Sequence, residues 1–206
     1  MSLAFLTAAP AEGVIARSPM ERQAAGAGAR FEVRDGWNVA VAHAGEDAAA
    51  GGWGDVSHLR KTEHHGALRP GLELATATRI AGSWWCPLTP QRTLVIGGVP
   101  GEPGGIDVTT CYAALAICGP AARAILARFT AIDVREAQLP VGGLRPGSIA
   151  RTPGLLVREA PERFLLLFGW ALGEYMWTVV ADAAAGTGAG PLGADALPPV
   201  AEGADA

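Results

Sequence analysis

The stretch IDVTTCYAALAICGPAARAIL (106–126) decides the fold. Its apolar run CYAALAIC (111–118) reads as a buried strand, and Gly119 breaks it at a corner. Pro120 is tolerated at the first position of a helix and opens one over 120–129. In that helix Ala121, Ala124, Ile125 and Phe129 share an inward face, with Arg123 and Arg128 outside. The corner itself carries little chemistry. A phosphate cradle needs several free backbone N–H groups, whereas this corner has one glycine and a proline that removes a donor. Cys118 continues the apolar run and has no histidine near it in sequence to serve as a base, so it reads as a small buried hydrophobe.

The same pattern occurs earlier. GDVSHLRKTEHHG (54–66) also runs Asp-Val-Ser/Thr, an alternating stretch, then glycine. TPQRTLVIGG (89–98) and APERFLLLFG (160–169) share a second signature: Pro, Gln/Glu, Arg, one variable residue, an apolar run and Gly. A proline followed by polar residues makes a turn, and the run after it is a strand. Two signatures in the same order predict a duplicated α+β domain, each half reading strand, glycine corner, helix and hairpin.

The remaining elements fall around these. WNVAVAH (37–43) is a strand, and VSHLRKTEHH (56–65) alternates like one. WWCPL (84–88) and TLVIG (93–97) form one hairpin, GLLVRE (154–159) and RFLLLFG (163–169) a second. GEYMWTVVADAAA (173–185) closes the fold as a helix burying Tyr175, Met176, Val179 and Val180. Residues 1–16 read as a flexible lead-in and 17–185 as the folded unit. Residues 186–206 form a Gly/Pro/Ala-rich tail whose composition cannot bury enough surface to order itself alone.

Composition narrows the function. Half of the 206 residues are apolar, 17% are charged and the net charge is −4, the reverse of a nucleic-acid footprint. Lys61 is the sole lysine. Stretches such as RFLLLFGWALGEYMW (163–177) are too short and interrupted to span a membrane. The N-terminus has no basic region before its apolar residues, and Cys86, Cys111 and Cys118 form no even framework. The chain is therefore expected in the cytoplasm, with reduced thiols. Asp55 and Glu63 have one strand parity and His58 and His64 the other, so they do not converge as metal ligands, and no metal is expected. Neither a nucleophile elbow nor a buried carboxylate pair is visible, so no catalytic residue is assigned. The adjacent Trp84 and Trp85 face opposite sides of a strand, and an exposed ring there would mark a partner or ligand.

RSPMERQAAGAGARFEVRDGW (17–37) and GDVSHLRKTEHHG resemble the opening of the glycine-cleavage T-protein (aminomethyltransferase) superfamily. The stretch from Ile106 to Trp177, with Gly-Pro into a helix, IDV…LPVG after it, the Arg-Phe strand and the Tyr-x-Trp helix, resembles one branch of it. That branch is the gamma subunit of heterotetrameric sarcosine oxidase. The resemblance covers about 17–185. It implies the folate-binding fold, yet the residues that handle folate do not carry over. The region after Gly66 lacks the acidic Gly-Gly-x-x-Asp-Asp loop, GLLVREAPERF lacks Tyr-Thr-Gly, and GADALPPVAE (193–202) lacks the arginines of the later segment. What it implies is a small non-catalytic subunit of a complex that oxidatively demethylates sarcosine. Larger alpha and beta subunits would then hold FAD, FMN, NAD and tetrahydrofolate. The alternative is a stand-alone tetrahydrofolate-binding or aminomethyltransferase-like protein. Its pterin would lie in a vestigial pocket between the halves, lined by Trp85, Asp107 and Tyr112.

Overall fold

The computed structural model describes residues 13–98 and 105–200. In chain order these form β1 (Ala16–Arg17), α1 (Glu21–Gly26), β2 (Ala29–Arg34), β3 (Trp37–His43), β4 (Gly52–Asp55), β5 (Lys61–His65), β6 (Thr78–Ile80), β7 (Ser83–Thr89), β8 (Arg92–Ile96) and β9 (Gly105–Asp107). Then follow β10 (Tyr112–Cys118), α2 (Ala122–Ala127), β11 (Leu144–Ile149), β12 (Thr152–Ala160), β13 (Arg163–Gly169), α3 (Gly173–Ala184) and β14 (Gly190–Pro191). The fold is mixed α+β and mostly strand.

Three sheets result, ordered β1-β3-β2, β11-β12-β13-β10-β4-β14 and β6-β7-β8-β5-β9. The third has the order of the first five strands of the second, with β6 where β11 lies, β8 where β13 lies and β9 where β4 lies. No helix follows Gly66 as α2 follows Gly119, however: residues 66–77 are bends and turns, so the expected pair of strand-helix-hairpin halves is not formed. The β7–β8 and β12–β13 hairpins each carry a register irregularity just before the Pro-Gln or Pro-Glu turn.

Period-two alternation sorts the side chains into layers. One face of the six-stranded sheet (Ala113, Leu115, Ile117, Phe164, Leu166, Phe168) packs on Ala24, Ile125, Leu126, Met176, Trp177 and Val180 of the helices. Its other face (Ala114, Ala116, Leu155, Val157, Leu165, Leu167) meets Trp84, Cys86, Leu94 and Ile96 of the five-stranded sheet. Strands β10 and β13 are thus buried on both sides, which is why their sequences are continuous apolar runs. At about 1.5–3 kcal/mol per fully buried large apolar side chain, Phe164 to Phe168 contribute on the order of 10 kcal/mol before conformational entropy is subtracted.

The corner at 118–122 is a strand-to-helix turn. Gly119 has φ +93°, and a Cβ there would lie 2.5 Å from the Cα of Gly51. The helix begins at Ala122, two residues later than the sequence suggests, with the Ala122 N–H donating to the Gly119 carbonyl. Its buried face is accordingly Ala122, Ile125 and Leu126, with Phe129 beside them, and Ala124 is exposed. Helix α3 is also turned relative to expectation: Met176, Trp177 and Val180 are buried, while Tyr175 is 44% exposed. Residues 56–60 are turn rather than strand, because the Asp55 carboxylate accepts from the Ser57 N–H and bends the chain.

The folded unit continues beyond 185. Pro191 pairs with Trp53, Leu192 N–H donates to the Trp53 carbonyl at 2.8 Å, and Ala194 N–H to the Ala40 carbonyl at 2.9 Å. Leu197 and Val200 pack against the inter-sheet core. This segment is ordered by existing strand edges, not by a core of its own. Of the expected lead-in, 1–12 lie outside the described residues, as do 201–206 of the tail.

Candidate functional site

The paired Asp-Val-Ser/Thr segments form the centre of the molecule. Asp55 accepts from the Ser57 N–H and Asp107 from the Thr109 N–H, both at 2.9 Å. Each segment then docks on a strand next to the other. Val56 N–H donates to the Ala114 carbonyl and the Ser57 hydroxyl accepts from Ala114 N–H. Likewise Val108 N–H donates to the Lys61 carbonyl and the Thr109 hydroxyl accepts from Lys61 N–H. Lys61 is fully buried at this crossing, its ammonium donating to the carbonyls of Ser57 (2.8 Å) and Leu59 (2.9 Å). Burial lowers its pKa to about 8, an effect partly offset by Asp55 and Asp107.

The three sequence candidates separate. Trp85 lies opposite Val95, Val95 opposite Thr62 and Thr62 opposite Asp107, so all four side chains share one sheet face. Three strand spacings separate Trp85 from Asp107, roughly 14 Å. Tyr112 belongs to β10, and its phenol accepts from Arg92 at 3.1 Å, with Glu63 on the other side of that guanidinium. Each candidate therefore has its own surroundings, and the pocket expected between the halves is instead packed with side chains.

Trp85 forms part of a cavity of about 350 Å³ with His64, His65, Arg69 and Thr93. The His64 ring stacks on the indole (5.5 Å, 29°), and the Arg69 guanidinium carbon is 4.3 Å from the indole centroid. Such a lining suits a flat or anionic group. Asp107 borders a larger cleft of about 740 Å³, with Trp37, His58, Arg60 and Thr110. Burial lowers the pKa of His58, favouring a neutral imidazole there. Hydrogen bonds from Thr109 hold the Asp107 carboxyl below its usual range, and Arg60 stands 3.5 Å away.

Sequence reasoning missed the polar group between the sheets. Trp84 Nε1–H donates to the Glu159 carboxylate at 2.8 Å, and Arg163 Nε donates to its other oxygen at 2.8 Å. With Leu94, Ile96, Leu155 and Leu165, Trp84 fills the inter-sheet space. A pterin placed there would have to displace Trp84 from Glu159, so the residues present do not fit folate between the sheets. No tryptophan forms an exposed patch: Trp53, Trp84, Trp85 and Trp177 are buried, and Trp37 and Trp170 are half-buried. Cys86 and Cys118 are buried, with burial raising both thiols, while Cys111 is exposed. Among the described residues, no three His, Cys, Asp or Glu side chains are placed to hold a metal ion, and no helix is long and apolar enough to cross a membrane.

No protein-family model and no curated protein matches the sequence. Solved structures do. A chain of the heterotetrameric sarcosine oxidase from Corynebacterium sp. U-96, in complex with pyrrole 2-carboxylate, matches with TM-score 0.65 at 20% identity. The match covers 85% of this chain and 97% of that one. Glycine-cleavage aminomethyltransferase T from Bartonella henselae matches with TM-score 0.66 at 14% identity, over 88% of this chain and 60% of that one. At these identities the likeness is one of fold, and that fold is the one the sequence resemblance implied.

Proposed function

We propose that this chain is a small, non-catalytic subunit of a flavin-dependent hetero-oligomer of the sarcosine-oxidase type. The observation that carries the reading is coverage. The fold accounts for 97% of a chain of the heterotetrameric oxidase but only 60% of the aminomethyltransferase. The match takes in nearly all of that oxidase chain's architecture, whereas a substantial part of the transferase lies outside the match. The packing between the sheets agrees with the same reading, because Trp84 and Glu159 fill that space and leave no room there for a pterin.

In this reading FAD, FMN, NAD and tetrahydrofolate belong to larger alpha and beta partners in the cytoplasm. Those partners remove the N-methyl group of sarcosine oxidatively, and this chain contributes assembly. The test is purification from the native host through a tag on this chain at its natural expression level. Two larger chains with flavin absorbance are expected to co-elute. A stable, flavin-free monomer would refute the proposal.

A further inference from the structure

Three two-residue hairpin turns in this fold place both residues at positive φ. They are Asp35-Gly36 (48°, 78°), Ala81-Gly82 (49°, 79°) and Ala150-Arg151 (47°, 62°). Such turns favour glycine, above all at the second position, because a Cβ there crowds the following carbonyl. The first two turns comply. The third, which occupies in the β11–β12 hairpin the place of Ala81-Gly82 in β6–β7, carries an arginine. The turn is held in place: Tyr175 Oη–H donates to the Ala150 carbonyl at 2.9 Å, and the Ala150 N–H donates to the Phe129 carbonyl at 2.8 Å. Backbone strain retained where glycine would relieve it points to a use for the side chain.

Arg151 borders a groove of about 510 Å³ between the segment that follows α2 (128–131), α3 and this turn. Its apolar floor includes Phe129 and Val179, Tyr175 lies 44% exposed beside them, and Arg128 forms a second basic wall. Among the described residues no carboxylate lines the groove, although the chain as a whole has net charge −4. Arg128 donates to the carbonyls of Ala183 and Ala185, and the Arg151 side chain has no hydrogen bond or ion pair among the described residues. Several other surface arginines meet acids, as Arg34 meets Asp195 and Arg135 meets Asp133, whereas Arg145 donates to backbone carbonyls.

We propose that this groove docks an acidic segment of a partner chain, whose carboxylates pair with Arg128 and Arg151 while an apolar side chain rests on Phe129 and Val179. An apolar floor between unneutralised guanidiniums is complementary to such a segment in charge as well as shape. The proposal rests on the hetero-oligomer reading for the existence of a partner, but its binding chemistry is testable alone. The probe is a fluorescein-labelled peptide, Glu-Asp-Leu-Glu-Glu-Phe-Asp-Glu, titrated into the full chain and followed by fluorescence anisotropy. Saturable binding is expected, weakened at least tenfold (on the scale of one lost charge pair) by Arg151→Glu. Arg151→Gly is expected to melt at an equal or higher temperature and yet to lose the same binding, separating function from folding.

Absence of binding would overturn the proposal. So would undiminished binding by Arg151→Glu, equal binding of a peptide with lysines in place of the acids, or displacement by equimolar inorganic phosphate. In the native host, Arg151→Glu is expected to lose its partner. If it recovers the partner undiminished, the docking site is refuted and the subunit reading stands. If the unaltered chain recovers no partner, the subunit reading fails whatever the peptide shows.

Discussion

Replacing Lys61 by methionine isolates one buried charge in a chain that has no other lysine. The native ammonium titrates at about 8 because burial disfavours its charged form, against 10.5 for an ordinary lysine. The folded pKa lies below the unfolded one, so between these values the unfolded chain binds more protons and stability rises with pH. Below pH 8 both states are protonated and the folded state carries the whole penalty; above 10.5 neither is charged and the penalty is gone. The gap of about 2.5 units is worth about 3 kcal/mol at roughly 1.4 kcal/mol per unit. Lys61→Met also removes the donors to the Ser57 and Leu59 carbonyls, an offset that does not change with pH. Urea denaturation followed by tryptophan fluorescence gives unfolding free energies for both proteins between pH 7 and 10.5. The difference, wild type minus variant, is expected to rise by about 3 kcal/mol across that window. A difference constant to within about 1 kcal/mol, or one that falls, would refute the reasoning. Because Lys61 is fully buried, its amine should resist acylation in the native protein and react once the chain unfolds, a difference visible by mass spectrometry of the peptide that contains it.

Gly119→Ala forces a side chain into the left-handed region and against the Gly51 backbone at 2.5 Å. A loss of about 3 kcal/mol or more in chemical denaturation, or failure to accumulate as soluble protein, is expected. Trp84→Phe keeps most of the packing but removes the hydrogen bond to Glu159, costing about 1–2 kcal/mol, or roughly 3–6 °C by calorimetry. Titration calorimetry of the isolated chain with tetrahydrofolate is expected to show no binding heat, since Trp84 fills the inter-sheet space; a saturable isotherm would revive the stand-alone folate reading.

The sequence showed what burial on both faces imposes. Strands β10 and β13 are legible as unbroken apolar runs because neither side meets water. The segment 56–60 is not, since an aspartate turn followed by polar residues imitates the alternation of a half-buried strand. The faces of α2 and α3 were displaced for different reasons. Pro120 and Ala121 precede α2 rather than joining it, and Tyr175 exchanges burial for a hydrogen bond to the Ala150 carbonyl at 2.9 Å. Residues 186–200 gave no periodicity because they attach through backbone hydrogen bonds to edges built elsewhere. Trp85 and Asp107 each border a cavity, but the sequence could not show that these cavities are separate. That depends on register across four strands. The Trp84–Glu159 bond, which joins residues 75 apart in sequence, was equally invisible.

The most direct test of the central claim is oxygen consumption with sarcosine, measured on the assembly recovered through this chain and on this chain alone. The account predicts that the assembly consumes oxygen and releases formaldehyde and glycine, while the isolated chain does neither. Turnover by the isolated chain, or an assembly inert toward sarcosine and free of flavin, would contradict it.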